Sequence, residues 1–190
     1  MPEKNVRLFV AASIPDRVRD AVQRVADELR ARWPEARWVP AANQHLTLKF
    51  LGWTPPDRIG AVSEVTERVA RSHSPAELSL TGLGAFPSAK RVRVLWIGID
   101  DPAELLTHLA TEYGKSFEPL GYEVEERPFH SHLTLARFKM PARVPEGLPE
   151  IDLSSVEPFT VDAVDLFRSH LQRSGARYEL LESFPLTGGR

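Results

Sequence analysis

The tetrapeptide His-Leu-Thr-Leu occurs twice, in HLTLKFLG from His45 and in HSHLTLARF from His130, with His45 and His132 87 positions apart. Alternating polar and apolar residues form a half-buried strand whose successive side chains take opposite faces. The alternation predicts that Leu46, Leu48 and Phe50 point into a core while His45, Thr47 and Lys49 point the other way. In the second copy Leu133 and Leu135 anchor the strand, and His132 and Thr134 share the opposite face. Each half of the chain thus offers an imidazole and a hydroxyl from one strand. A fold that houses both copies needs two comparable halves, the trace of an internal duplication.

The surrounding patterns fill in those halves. Residues 6–12 read as a buried strand, and the helix after Pro15 buries Val18, Val22, Val25 and Leu29 at helical spacing. ARWV is a short strand, and a second helix is expected over 57–72. AELSLTGL and RVRVLWIGI read as strands, the latter dense in β-branched and aromatic residues. In the second half Asp101 is expected to cap a third helix with Pro102 at its first position, and Gly121 to close it. YEVEE and FHSHLTLARF read as strands, and MPARVPEGLPEIDLSS as a surface loop. FTVDAVDLFRSHL and ARYELLESFPL form a closing hairpin with Ser174 and Gly175 in its turn. Strands and helices alternate without a continuous parallel run, which favours an α+β fold.

The chain has 190 residues, 42% of them hydrophobic and 26% charged, the balance of a protein with a real core. A net charge of −2 gives no electrostatic basis for bulk binding of long nucleic acid, so any phosphate recognition must be local. The absence of cysteine excludes disulfides, zinc fingers and thiol catalysis. MPEKNVRLFVAASIP has only a short apolar run, unlike a signal peptide, and no window approaches the ~20 apolar residues of a membrane span. A cytoplasmic, monomer-sized enzyme or binding domain is the expectation.

Two histidines on opposite sides of one substrate suit phosphodiester hydrolysis without a metal. Water must lose a proton on one side of phosphorus while the leaving oxygen gains one on the other. Imidazole, with a reference pKa of about 6.5, serves either role near neutrality. The threonine hydroxyls can donate to phosphate oxygens where charge builds up. Two imidazoles at their reference values predict a bell-shaped kcat/KM profile with its maximum at about pH 6–8. His130 and His132 also form a His-x-His pair, a spacing that binds metals, with His45 as a possible third ligand. That reading leaves the duplication and both threonines without a purpose. His73 is expected in a solvated loop, with His108 in the third helix and His170 in the final hairpin as structural residues. The basic run SAKRVRV either grips an RNA backbone or is a solvated turn and edge strand.

RLFVAASIP, HLTLKFLG, VRVLWIGI, RPFHSHLTLARF and LFRSHLQRSGARYELLESFPL together resemble the 2H phosphoesterase superfamily, named for two His-x-Thr/Ser motifs. More closely they are similar to its RNA 2′,3′-cyclic phosphodiesterases, formerly called 2′-5′ RNA ligases. The resemblance implies a bilobal α+β fold of two pseudo-symmetric antiparallel-sheet lobes, helices outside and a central cleft, with 1–190 as one domain of interleaved lobes. It implies opening of a terminal 2′,3′-cyclic phosphate to a 2′-phosphomonoester with no cofactor and no metal. In that scheme His45 is the proton donor and His132 the acceptor, and Thr47 and Thr134 hold the phosphate. Arg137 would bring a guanidinium to the site if a bulge or twist turned it there, and His130 would touch the substrate or shield the cleft. The implied partners are RNA ends or short oligonucleotides with a 2′,3′-cyclic phosphate, met by a cytoplasmic monomer that contacts no membrane. 2′-5′ end joining, hydrolysis of another cyclic phosphate and a non-enzymatic RNA-end binding module are the alternatives.

Overall fold

The computed structural model describes residues 4–144, 146–172 and 175–188. Its strands are β1 Val6–Ala12, β2 Arg37–Trp38, β3 Leu46–Thr54, β4 Ala76–Ser88, β5 Arg91–Asp100, β6 His132–Ala142, β7 Phe159–Val161, β8 Ala163–Gln172 and β9 Gly175–Pro185. The helices are α1 Asp16–Arg30, α2 Ile59–Arg71 and α3 Leu105–Phe117. One sheet runs β3-β1-β8-β9 and the other β2-β6-β5-β4-β7, and every pairing is antiparallel. The first sheet joins strands from both ends of the chain, so the two halves interlace.

The apolar face of each helix explains its place. Val18, Val22, Val25 and Leu29 of α1 are buried, and Trp33 beyond it packs edge-on against Phe138 of β6. Helix α2 lies against β8, β9 and α3, and α3 against β3. Tyr113 of α3 donates its hydroxyl to the Thr66 carbonyl of α2 at 3.0 Å, which allows the full burial of that ring. Leu8, Val10, Leu46, Leu48, Val164 and Leu166 from the first sheet and Leu95, Ile97, Leu133 and Leu135 from the second belong to one connected core. Among the described residues, no helix is long and apolar enough to cross a membrane.

Several local expectations are corrected. Helix α3 starts at Leu105, after a turn in which Asp101 keeps the capping task from a distance. Its carboxylate accepts from the Leu105 and Leu106 amides at 3.0 and 2.8 Å, and Pro102 lies in the turn and not at the first helical position. YEVEE is not a strand: among the described residues no neighbouring strand pairs with it, and the segment is tied to β3 by side chains instead. Tyr122 donates to the Thr54 hydroxyl at 3.0 Å, and the Lys49 ammonium donates to the Glu123 carbonyl. FTVDAVDLFRSHL splits at Asp162, since β7 pairs with β4 while β8 crosses to pair with β1. Strand β6 runs on through Met140 and Pro141 to Ala142, into the expected loop. In the closing hairpin Gln172 pairs with Gly175, while Ser174 lies outside the described residues.

Candidate active site

Each motif strand carries a β-bulge at its second leucine. Val10 and Ala11 of β1 pair with Lys49 and Thr47, which leaves Leu48 as the extra residue of β3. Leu95 and Trp96 of β5 pair with Ala136 and Thr134, which leaves Leu135 as the extra residue of β6. A bulge places two residues opposite one and shifts the phase of every side chain beyond it. Lys49 therefore turns to the core side and is 7% exposed, while Phe50 turns outward and is 57% exposed. Both placements reverse the expected alternation. At the matching positions Ala136 is buried, and Arg137 pairs with Val94 on the face that carries His132 and Thr134.

The histidines are tethered alike. His45 Nδ1 donates to the Asn43 carbonyl at 2.7 Å, and His132 Nδ1 donates to the His130 carbonyl at 2.7 Å, each two residues upstream. A carbonyl oxygen only accepts, so Nδ1 carries the proton in both rings and Nε2 is left for chemistry. Asn43 is itself held by a bond from its side-chain amide to the Ala176 carbonyl at 2.6 Å.

Aromatic rings wall both imidazoles. His45 lies 4.8 Å from Phe9, 5.2 Å from Tyr178 and 6.1 Å from Phe167, between ring centroids. Phe50, Phe9, Phe167 and Leu180 are register partners across the four strands of that sheet, with the exposed Phe50 and Leu180 at the ends of the row. His132 lies 5.1 Å from Phe86 and 6.0 Å from Trp96, and His130 lies 4.7 Å from Trp96 and 6.3 Å from His132. Trp96 rests directly on Gly84, where an added Cβ would stand 2.0 Å from the indole. Sequence reasoning missed these rings. Their signal was position: Phe9 and Trp96 occupy the strand face opposite the core residues beside them.

Strands β3 and β6 lie against each other, so the two motifs meet between the sheets. Burial pushes the His45 imidazole down to about 4, the positive charges of Arg137 and His132 add to this, and the Asn43 carbonyl partly opposes it. Burial also lowers His132, helped by His130 and Arg137 and opposed by the His130 carbonyl. Arg137 thus acts on both rings, and the bulge at Leu135 is what brings it within range. Thr47 and Thr134 are half-buried on the same faces as their histidines.

Among the described residues, no three His, Asp or Glu side chains gather closely enough to hold a metal ion. The remaining histidines sit apart from the site. His73 is not solvated as expected: its Nδ1 donates to the Val69 carbonyl at 3.0 Å, and its Nε2 is 3.5 Å from Glu112. His108 lies 3.8 Å from Glu104 on an exposed helix face, and His170 contacts the Glu179 carboxylate at 2.5 Å.

Two antiparallel sheets, each presenting a His-x-Thr strand with the same bulge and the same tether, have the architecture of the 2H phosphoesterases. A family model described as the 2′-5′ RNA ligase superfamily matches residues 14–173, and the chain belongs to that family. The RNA 2′,3′-cyclic phosphodiesterase of Methanothermobacter thermautotrophicus is 32% identical over 95% of this chain and 99% of its own. The Thermus thermophilus protein of the same name is 35% identical over 96% of this chain and 91% of its own. Among solved structures, TT0787 of Thermus thermophilus has a TM-score of 0.82 at 31% identity, covering 97% of this chain and 100% of its own. Escherichia coli LigT complexed with 3′-AMP has a TM-score of 0.77 at 27% identity, covering 97% of this chain and 99% of its own.

Proposed function

We propose that this protein hydrolyses terminal 2′,3′-cyclic phosphates of RNA to 2′-phosphomonoesters, without a metal, by acid–base catalysis from His45 and His132. The observation that carries this reading is the matched pair of tethers, which leaves one free Nε2 on each motif strand. His132 takes a proton from water as its oxygen bonds to phosphorus. The bond from phosphorus to the 3′ oxygen breaks, and His45 gives that oxygen its proton. Thr47 and Thr134 donate hydrogen bonds to the non-bridging oxygens, and Arg137 offsets the charge that builds on them. His130 lines the cleft against Trp96, and the exposed Phe50 ring offers a stacking face for the terminal base.

A depressed His45 pKa is consistent with a donor once substrate is bound. The cyclic phosphate brings a negative charge into a poorly solvated space, which favours the imidazolium and counters the effect of Arg137. Binding of substrate therefore takes up a proton. The roles are tested with a cyclic phosphodiester whose leaving group needs no protonation. It should restore turnover to His45→Ala and leave His132→Ala inactive; rescue of His132→Ala alone would reverse the assignment.

A further inference from the structure

The far end of the β5–β6 ladder carries a second basic feature, about 20 Å from Thr134 along the strands at ~3.4 Å per residue. There Lys90 and Arg91 of the β4–β5 turn, with Pro141, Arg143 and Val144 at the end of β6, line an open groove of about 690 Å³. Register ties it to the catalytic face: Thr134 pairs with Trp96, Arg137 with Val94, Ala142 with Val92, and Arg91 with Ser88 across the turn. Phe86, two residues before Ser88, touches the His132 ring. A chain leaving the histidines along these strands meets Arg137 first and the groove next.

Charge sets this end apart from the rest of the molecule. Arg93 and Lys139 are exposed beside Lys90, Arg91 and Arg143, and no acidic residue occurs in 88–99 or 127–145. None of the five cations at this end has a carboxylate within salt-bridge distance among the described residues. In a protein of net charge −2, five such cations in one place make a local anion-binding surface.

We infer that this groove binds the phosphodiester backbone of single-stranded RNA upstream of the cyclic end, which gives the enzyme a preference for oligonucleotides over mononucleotides. The inference rests on the hydrolytic reading for its direction, since the cyclic end occupies the histidines and the 5′ portion runs along β5 and β6. The half-buried Pro141 between the cations suits the sugar and base surface of a flexible strand, with the buried Val144 beneath it. Long side chains reaching phosphates across such a floor bind without regard to sequence.

The test compares wild-type protein with Lys90→Ala/Arg143→Ala on two substrates with the same cyclic end, a 2′,3′-cyclic mononucleotide and a short RNA. Both substituted side chains are exposed, and equal Tm values confirm that the fold is kept. Mononucleotide hydrolysis should be unchanged. KM for the RNA should rise several-fold at constant kcat, and the slope of log KM against log salt should fall by about 0.7 per lost phosphate contact. An unchanged KM and slope for the RNA, or equal loss on both substrates, overturns the groove. Binding of a fluorescent RNA ending in a 2′-phosphate, read by anisotropy, separates this from the hydrolytic reading. If wild type hydrolyses neither substrate, the proposed reaction is wrong, yet weaker RNA binding by the variant still supports the groove and equal binding overturns it.

Discussion

At the scale of single residues, the proposed chemistry depends on two imidazoles whose Nδ1 protons are committed to backbone carbonyls. Replacing either ring by alanine should lower kcat by about 10²–10⁴, the usual contribution of one general acid or base. Circular dichroism and Tm should stay near wild type; near-normal kcat in either variant would contradict the mechanism. Their environment also moves the pH profile. The reference values pointed to a kcat/KM maximum at about pH 6–8, but burial lowers both rings, His45 to about 4. Because kcat/KM reports the free enzyme, its maximum should fall below about pH 6.5, the reference for an unperturbed imidazole. Arg137 lowers both histidines by charge, so Arg137→Gln should move both limbs of the profile to higher pH. Limbs that stay in place would show that the guanidinium does not act on the rings.

At the scale of elements, the bulges at Leu48 and Leu135 decide which side chains reach the site. The motif itself was legible, because His-Leu-Thr precedes the bulge at the second leucine and strand alternation holds up to that point. Beyond it the alternation fails, which is why Lys49 and Phe50 exchanged faces and why the side of Arg137 could not be read from spacing. Bulges are set by register against a neighbouring strand, and no local pattern records that register. The same limit applies to YEVEE, which has strand-like letters and no strand to pair with, and to β7 and β8, whose division depends on two different partner sheets. Helices α1 and α2 were legible since their apolar stripes are local. Lys49 gives this scale its prediction. Its ammonium holds the Glu123 carbonyl on the core side of β3, so Lys49→Met should leave kcat and KM unchanged and speed amide exchange in 122–126. Stability should fall by about 1.5–3 kcal/mol, the usual worth of a hydrogen bond made by a charged group. A large loss of kcat would return Lys49 to the cleft.

At the scale of the whole molecule, interlaced sheets bring two distant tetrapeptides together, and the two motif strands differ in the side chains that wall them. His45 lies among Phe9, Phe167 and Tyr178, whereas His132 lies among Phe86, Trp96 and His130. Phe50 and Arg137 hold equivalent positions, one a ring and the other a cation. A symmetric scaffold with asymmetric walls suits a reaction that needs a donor on one side of phosphorus and an acceptor on the other. The most direct test is to incubate the protein with a short RNA ending in a 2′,3′-cyclic phosphate, in excess EDTA, and to identify the product by ³¹P NMR. A 2′-phosphate formed at the same rate with and without chelator is the result expected. A 3′-phosphate product would remove the basis for His45 as donor and His132 as acceptor, and turnover that stops in EDTA and returns with zinc or manganese would contradict the two-histidine account.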